Sequence, residues 1–99
     1  MKRPAKPVPK PTIPKHYTIA FSTQASKQFK KLPPVAAQQL KTAIKNLTDN
    51  PRPSGVKKLK GQGGYRIRVG DYRVMYSIFD AVLLVEIVKV GQRGNFYDE

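Results

Sequence analysis

Apolar and polar residues alternate on either side of Gly70-Asp71 in the run Y-R-I-R-V-G-D-Y-R-V-M-Y from Tyr65 to Tyr76, with Met75 the one apolar residue at a polar position. Alternation is the period of a half-buried strand, because successive side chains point to opposite faces. Gly70-Asp71 divides the run, and glycine accepts the positive φ that a two-residue hairpin turn needs. The run therefore predicts two strands around that turn, with Val69 opposite Tyr72, Arg68 opposite Arg73 and Ile67 opposite Val74. On that register Tyr65, Ile67, Val69, Tyr72, Val74 and Tyr76 share one face, and Arg66, Arg68 and Arg73 share the other.

Upstream, His16 to Phe21 reads as a strand with Tyr17, Ile19 and Phe21 on one side. Ser22 is a predicted N-cap. A short helix follows to about Lys31, with Ala25, Phe29 and Leu32 at helical spacing. Pro33-Pro34 ends it and opens a second helix, since proline fits a first turn. That helix runs to about Thr48, with Ala36, Leu40, Ala43, Ile44 and Leu47 as its core stripe and Lys41 and Lys45 off it. Asp49 to Gly55 is a loop by composition, and Val56 to Leu59 a brief extended piece. Gly61-Gln62-Gly63-Gly64 lacks the spacing of a phosphate-cradling loop and leads into a strand rather than a helix.

After the hairpin, a turn near Asp80-Ala81 introduces a third strand, Val82 to Val90. Its run V-L-L-V-E-I-V is that of a buried central strand. If Phe79 pairs with Val82, Glu86 falls opposite Met75 on the arginine face. Gly91 to Tyr97 reads as a polar C-terminal segment. The predicted fold is α+β, in the order β-α-α-β-β-β: a small antiparallel sheet with two N-terminal helices packed on one face. The helices would cover the apolar side of the hairpin and leave the arginine side open.

Charge sharpens this picture. The 99 residues carry 19 Lys+Arg against 6 Asp+Glu, a formal net charge of +13. Such a balance favours a nucleic-acid or other anionic partner. Residues 1–15 hold five prolines and five of these charges with no acid, so they are expected to be an extended or disordered tail outside a domain of residues 16–99. The tail reads either as a solubilising leader or as a basic arm adding non-specific RNA affinity. There is no cysteine, so no disulfide, thiolate metal site or thiol nucleophile. No apolar run approaches the ~18–20 residues of a membrane span, and no apolar stretch of a secretory signal follows the basic start. A cytoplasmic protein is the expectation, with no membrane partner.

The arginine face has two readings. One is a basic, solvated outer surface. The other is a site for a polyanion such as phosphate, whose oxygens match the planar donor fork of arginine. Like charges directly opposed on a ladder cost a few tenths to ~1 kcal/mol, so a sheet built for stability alone would not oppose Arg68 and Arg73. No residue set resembles a hydrolase triad or a metal centre, and no cofactor is implied. Arginine, lysine and tyrosine remain. These groups suit one reaction, attack of an RNA 2′-hydroxyl on its own 3′ phosphate, in which the substrate supplies the nucleophile.

The segments K-L-K-G, Y-R-I-R-V-G-D-Y-R-V-M-Y and V-G-Q-R-G-N-F-Y, in this order and spacing, resemble the RelE family of bacterial type II toxin–antitoxin modules. The resemblance covers Tyr17 to Tyr97 and leaves the tail outside. It implies a RelE-like fold and a ribosome-dependent mRNA interferase. Such an enzyme is a metal-independent endoribonuclease that cuts message in the ribosomal A site and is silenced by a cognate antitoxin. The family's basic residues before the hairpin turn fall on Arg66 and Arg68, and the arginine after it on Arg73. The arginine of its C-terminal Gly-His/Lys-Arg segment falls on Arg93, and the following tyrosine on Tyr97. Arg73 is then the phosphate clamp. Arg93 stabilises the transition state or helps the leaving group. Tyr97 stacks on a base or joins proton transfer, and Arg66 and Arg68 hold the backbone. Lys57, Lys58, Lys60 and Gln92 are further candidates for RNA contact.

Two departures matter. Several relatives carry lysine at the positions of Arg66 and Arg68, and histidine or lysine at that of Gln92. Arginine does not give up its proton and glutamine has none to titrate, so the general base is unassigned. Two other readings stand beside the interferase: a toxin like the ParE branch, which poisons DNA gyrase, and an inactive relative that only binds RNA or antitoxin. In every case the basic surface implies an acidic or amphipathic antitoxin segment and a toxin–antitoxin hetero-oligomer.

Overall fold

The computed structural model describes residues 16–59 and 64–92. Its elements are β1 (Thr18–Phe21), α1 (Thr23–Lys30), α2 (Pro34–Asn46), β2 (Lys57–Lys58), β3 (Tyr65–Val69), β4 (Tyr72–Phe79), a 3-10 turn (Asp80–Val82) and β5 (Leu84–Gln92). The strands form one five-stranded sheet in the order β1-β5-β4-β3-β2. The expected strand–helix–helix–strand order is present, with the brief piece after the loop joining as β2.

One expectation is corrected. The sheet is mixed, because β1 runs parallel to β5, with Thr18 beside Leu84 and Phe21 beside Ile87. The reason is topological. The helix pair carries the chain from one edge of the sheet to the other, and the last strand returns to pair with the first. The apolar run of β5 is explained by this position. From Leu84 to Ile87 it lies between β1 and β4, and Val85 and Ile87 are fully buried.

Both helices follow their sequence signals. The Ser22 hydroxyl oxygen accepts the Ala25 N–H at 3.0 Å, an N-cap worth about 1 kcal/mol. Pro34 occupies the first turn of α2, where a missing N–H costs nothing. Ala36, Leu40, Ile44 and Leu47 are buried against the sheet together with Ala25, Ile67, Val74 and Tyr76. Each large side chain so buried contributes about 1.5–3 kcal/mol. No helix among the described residues is long and apolar enough to cross a membrane.

The β3–β4 hairpin has the register read from sequence: Ile67 with Val74, Arg68 with Arg73, Val69 with Tyr72. Gly70 takes a φ of 60° while Asp71 stays negative, which matches the glycine requirement at the first central position of a type II′ turn.

The β4–β5 register differs from expectation. The 3-10 turn and a left-handed Leu83 (φ 52°) lengthen the connection, so Phe79 pairs with Leu84 rather than Val82. Ser77 then opposes Glu86, and Tyr76 opposes Ile87, but Met75 opposes Lys89. Val88 is left over as a bulge. Glu86 is therefore not opposite Met75. It lies opposite Ser77, four residues from Arg73 along β4 or roughly 13 Å, too far to neutralise it directly.

A polar cluster pins the loop after α2 to the sheet. The Tyr76 hydroxyl donates to the Pro51 carbonyl at 2.7 Å. Arg52 donates to Asp80 at 2.9 and 3.3 Å and to the Tyr65 hydroxyl at 3.2 Å. Tyr17 also donates to Asp80, at 2.6 Å.

Candidate nucleic-acid interface

Residues directly opposed in an antiparallel ladder share a face, with Cα atoms ~4.5–5.5 Å apart. The register therefore builds the basic face in two rows that cross the strands. One row runs Lys57, Arg66, Met75, Lys89 through β2, β3, β4 and β5. The second runs Arg68, Arg73, Gly91. At ~4.8 Å between strands, the first row spans roughly 14 Å, and the two rows lie about 7 Å apart. Five cations occupy this area. Gly91 contributes no side chain to the second row.

The face is less open than its charge suggests. Arg66 and Arg73 are each only 9% exposed, whereas Arg68 and Lys57 are exposed. Leu59 and Met75 form a small buried apolar cluster on the same side. The expectation of a fully solvent-open arginine side is corrected accordingly. Burying a guanidinium is costly unless it is paired, and both arginines do hold an interaction of their own. The result is a graded site, with two arginines held in place by their surroundings and two cations free to sample solvent.

The candidates divide as follows. Arg66, Arg68, Arg73 and Lys57 come together. Lys58 opposes Tyr65 and so points to the helix side, away from the arginines. Gln92 opposes Tyr72, again on the helix side. Lys60, Arg93 and Tyr97 lie outside the described residues. Lys89 joins the face although nothing in the sequence singled it out. A regular strand would turn it inward with Val85 and Ile87, and only the bulge at Val88 turns it outward.

Among the described residues no group of three His, Cys, Asp or Glu could hold a metal. His16 pairs with Asp49 at 3.3 Å, just before β1 at the opposite sheet edge from β2. What the basic face can do chemically is bind a chain of phosphates and offset charge that develops on one of them.

A second surface lies across the molecule. Ile19, Phe21, Phe29 and Ile44 line a groove of about 510 Å³ between β1 and the helices, rimmed by Lys30, Lys41 and Lys45. Phe21 meets Phe29 edge-on at 5.7 Å yet remains 42% exposed.

Residues 19–97 match the family described as ParE toxin of type II toxin-antitoxin system, parDE. A putative toxin RelE1 of Methanocaldococcus jannaschii is 31% identical over 85 residues, covering 82% of this chain and 94% of the relative. The mRNA interferase toxin RelE of Escherichia coli is 29% identical over 88 residues, covering 84% and 92%. In the archaeal RelE–RelB complex from Pyrococcus horikoshii, the matching chain superposes with a TM-score of 0.72 at 31% identity, covering 82% of this chain and 99% of that one. The two helices against a five-stranded mixed sheet are the arrangement shared with that structure. The chain belongs to the RelE family, within the RelE/ParE toxins of type II toxin–antitoxin systems.

Proposed function

We propose that this toxin is a ribosome-dependent mRNA interferase. The observation that carries the reading is the opposed pair Arg68–Arg73 beside the row Lys57–Arg66, a concentration of like charge on one face that a ladder disfavours and a polyanion fits. The Escherichia coli relative named as an mRNA interferase supports the same activity.

In the reaction the 2′-oxygen of one ribose attacks the adjacent phosphorus. The bond from phosphorus to the 5′-oxygen breaks, leaving a 2′,3′-cyclic phosphate and a 5′-hydroxyl. One proton leaves the 2′-oxygen and one arrives at the 5′-oxygen. Arg73, held by burial, clamps the phosphate. Arg66, Arg68 and Lys57 carry the flanking backbone. Arg93 stabilises the developing charge or assists the leaving group, and Tyr97 stacks on a base or joins proton transfer. Each well-placed cationic donor contributes ~10²–10³ in rate. The general base is unassigned, and the ribosome is a natural source of missing groups.

The partner that silences the toxin is an antitoxin with an acidic, amphipathic segment. The groove with its apolar floor and lysine rim has the complementary chemistry, and the related toxin from Pyrococcus horikoshii was solved with its RelB.

Primer extension on message in a translating cell-free extract tests the activity. Discrete cuts within codons that require ribosomes and vanish with Arg73→Ala are the expected result. A second reading, a gyrase poison, is favoured by the ParE wording of the matched family. Toxicity with no cuts, accompanied by DNA-damage signalling, would select it.

A further inference from the structure

Strand β5 has a strand on each side for only part of its length. From Leu84 to Ile87 it lies between β4 and β1, and the Ser22 N–H closes that ladder by donating to the Ile87 carbonyl at 2.8 Å. Past Ile87 the chain of β1 has already turned into α1. The Val88 bulge then shifts which backbone groups face outward, so Val88 and Val90 present theirs to α1 rather than to β4. An edge of this kind is a template for another strand unless something covers it.

Helix α1 covers it with two side chains. The Ser22 hydroxyl donates to the Val88 carbonyl at 2.8 Å while it caps the helix. The Gln28 Oε1 accepts the Val90 N–H at 2.7 Å. Val90 is 1% exposed, so water does not replace that acceptor. Val90 is followed by Gly91, which opposes Arg73, and then by Gln92 and Arg93.

We propose that Gln28 is a positioning residue for RNA cleavage: it stands in for the missing neighbour strand and fixes the end of β5 against Arg73. This rests on the interferase reading. A glutamine on a helix surface is ordinarily interchangeable with other polar residues. Here its oxygen is the partner of a buried backbone donor one residue from the basic face. Loss of that bond leaves the Val90 N–H without its acceptor and the end of β5 held by β4 alone, and small displacements of reacting groups lower turnover by up to ~10²-fold. Affinity for message, spread over Lys57, Arg66 and Arg68 on β2 and β3, depends far less on that end.

The test uses full-length toxin and programmed ribosomes, with kcat and KM measured separately. Gln28→Met matches the length with only a weak thioether acceptor, Gln28→Asn keeps the amide but is one methylene short, and Gln28→Glu keeps an acceptor in reach. Met and Asn variants are expected to lose roughly 10-fold or more in kcat with KM within about 2-fold, and Glu to restore kcat to within about 3-fold. Amide exchange at Val90 is expected to quicken in Met and Asn and not in Glu. If the Met variant fails to fold, the Asn variant carries the comparison. Faster Val90 exchange with unchanged kcat overturns the proposal and leaves the interferase reading intact, as does an equal loss of kcat in Glu, Asn and Met. A wild-type protein that never cleaves overturns both.

Discussion

Arg68 and Arg73 stand directly opposite each other on the β3–β4 hairpin, one exposed and the other 9% exposed. The pair shares a charge but not an environment, and the two are expected to respond differently to truncation. Arg68→Ala relieves repulsion and is expected to leave stability unchanged or raised by a few tenths to ~1 kcal/mol. It weakens RNA binding and reduces its salt slope by about 0.7. Arg73→Ala is expected to abolish cleavage by ~10²–10³-fold. Urea melts and salt-dependent RNA titrations of both variants check this. Equal losses of activity, or a large loss of stability in Arg68→Ala, would contradict the division of roles.

Tyr76 is 1% exposed and donates to the Pro51 carbonyl. Tyr76→Phe leaves that carbonyl without its partner and is expected to cost about 1–2 kcal/mol at neutral pH.

Alkaline stability follows from the same residue. Burial holds the Tyr76 phenol well above its ordinary value, and the Tyr17 phenol is raised chiefly by its hydrogen bond to Asp80. The unfolded chain releases these protons near pH 10, while the folded chain keeps them. The folded state then binds more protons, so stability falls as pH rises above about 10. Urea midpoints taken through that window should decline in the wild type and decline less steeply in Tyr76→Phe. Parallel curves for the two proteins would show that Tyr76 does not drive the loss.

Gly70 has room for a methyl group but not the backbone for one. An added Cβ meets only Gln39 Oε1, at 3.6 Å, an ordinary contact, whereas φ is 60°. Gly70→Ala is therefore expected to cost about 1 kcal/mol through strain alone, with cleavage per folded molecule unchanged. A thermal melt beside an activity assay separates the two.

The pH dependence of cleavage should lack a step near 6.5, the ordinary histidine value. The described cations on the basic face are arginines and lysines, Gln92 cannot titrate, and the one histidine is tied to Asp49 before β1. A single-turnover profile from about pH 5.5 to 8.5 with an inflection at that point would show that a titrating base had been missed.

The hairpin was legible because its signal is local: Gly-Asp fixes the turn, and alternation fixes the faces on either side. The α2 stripe was legible for the same reason, with Ala36, Leu40, Ile44 and Leu47 buried as spaced and Ala43 partly buried at its edge. The β4–β5 register was not, because a left-handed leucine and a bulge have no composition of their own. Leu83 and Val88 look like any other residues of an apolar run, yet between them they move Glu86 away from Met75 and bring Lys89 to the site. The choice between Lys57 and Lys58 was hidden too, since a two-residue strand offers no alternation to read. The parallel pairing of β1 is a relation between the two ends of the domain, and no window of sequence contains both.

That last relation sets an order in time. Thr18 finds its neighbour only at Leu84, so the sheet closes through contacts between the first strand made and the last. Contacts of such long separation slow folding. During synthesis, helices α1 and α2 emerge with the apolar surface of Leu40 and Ile44 before β5 exists to receive it, and at 5–20 residues per second that interval lasts seconds. A chain interrupted anywhere before Leu84 lacks the strand that joins β1 to β4. Chains that stop short of Leu84 should thus be harmless and short-lived, because the toxin fold is not assembled until β5 is available to join β1 to β4.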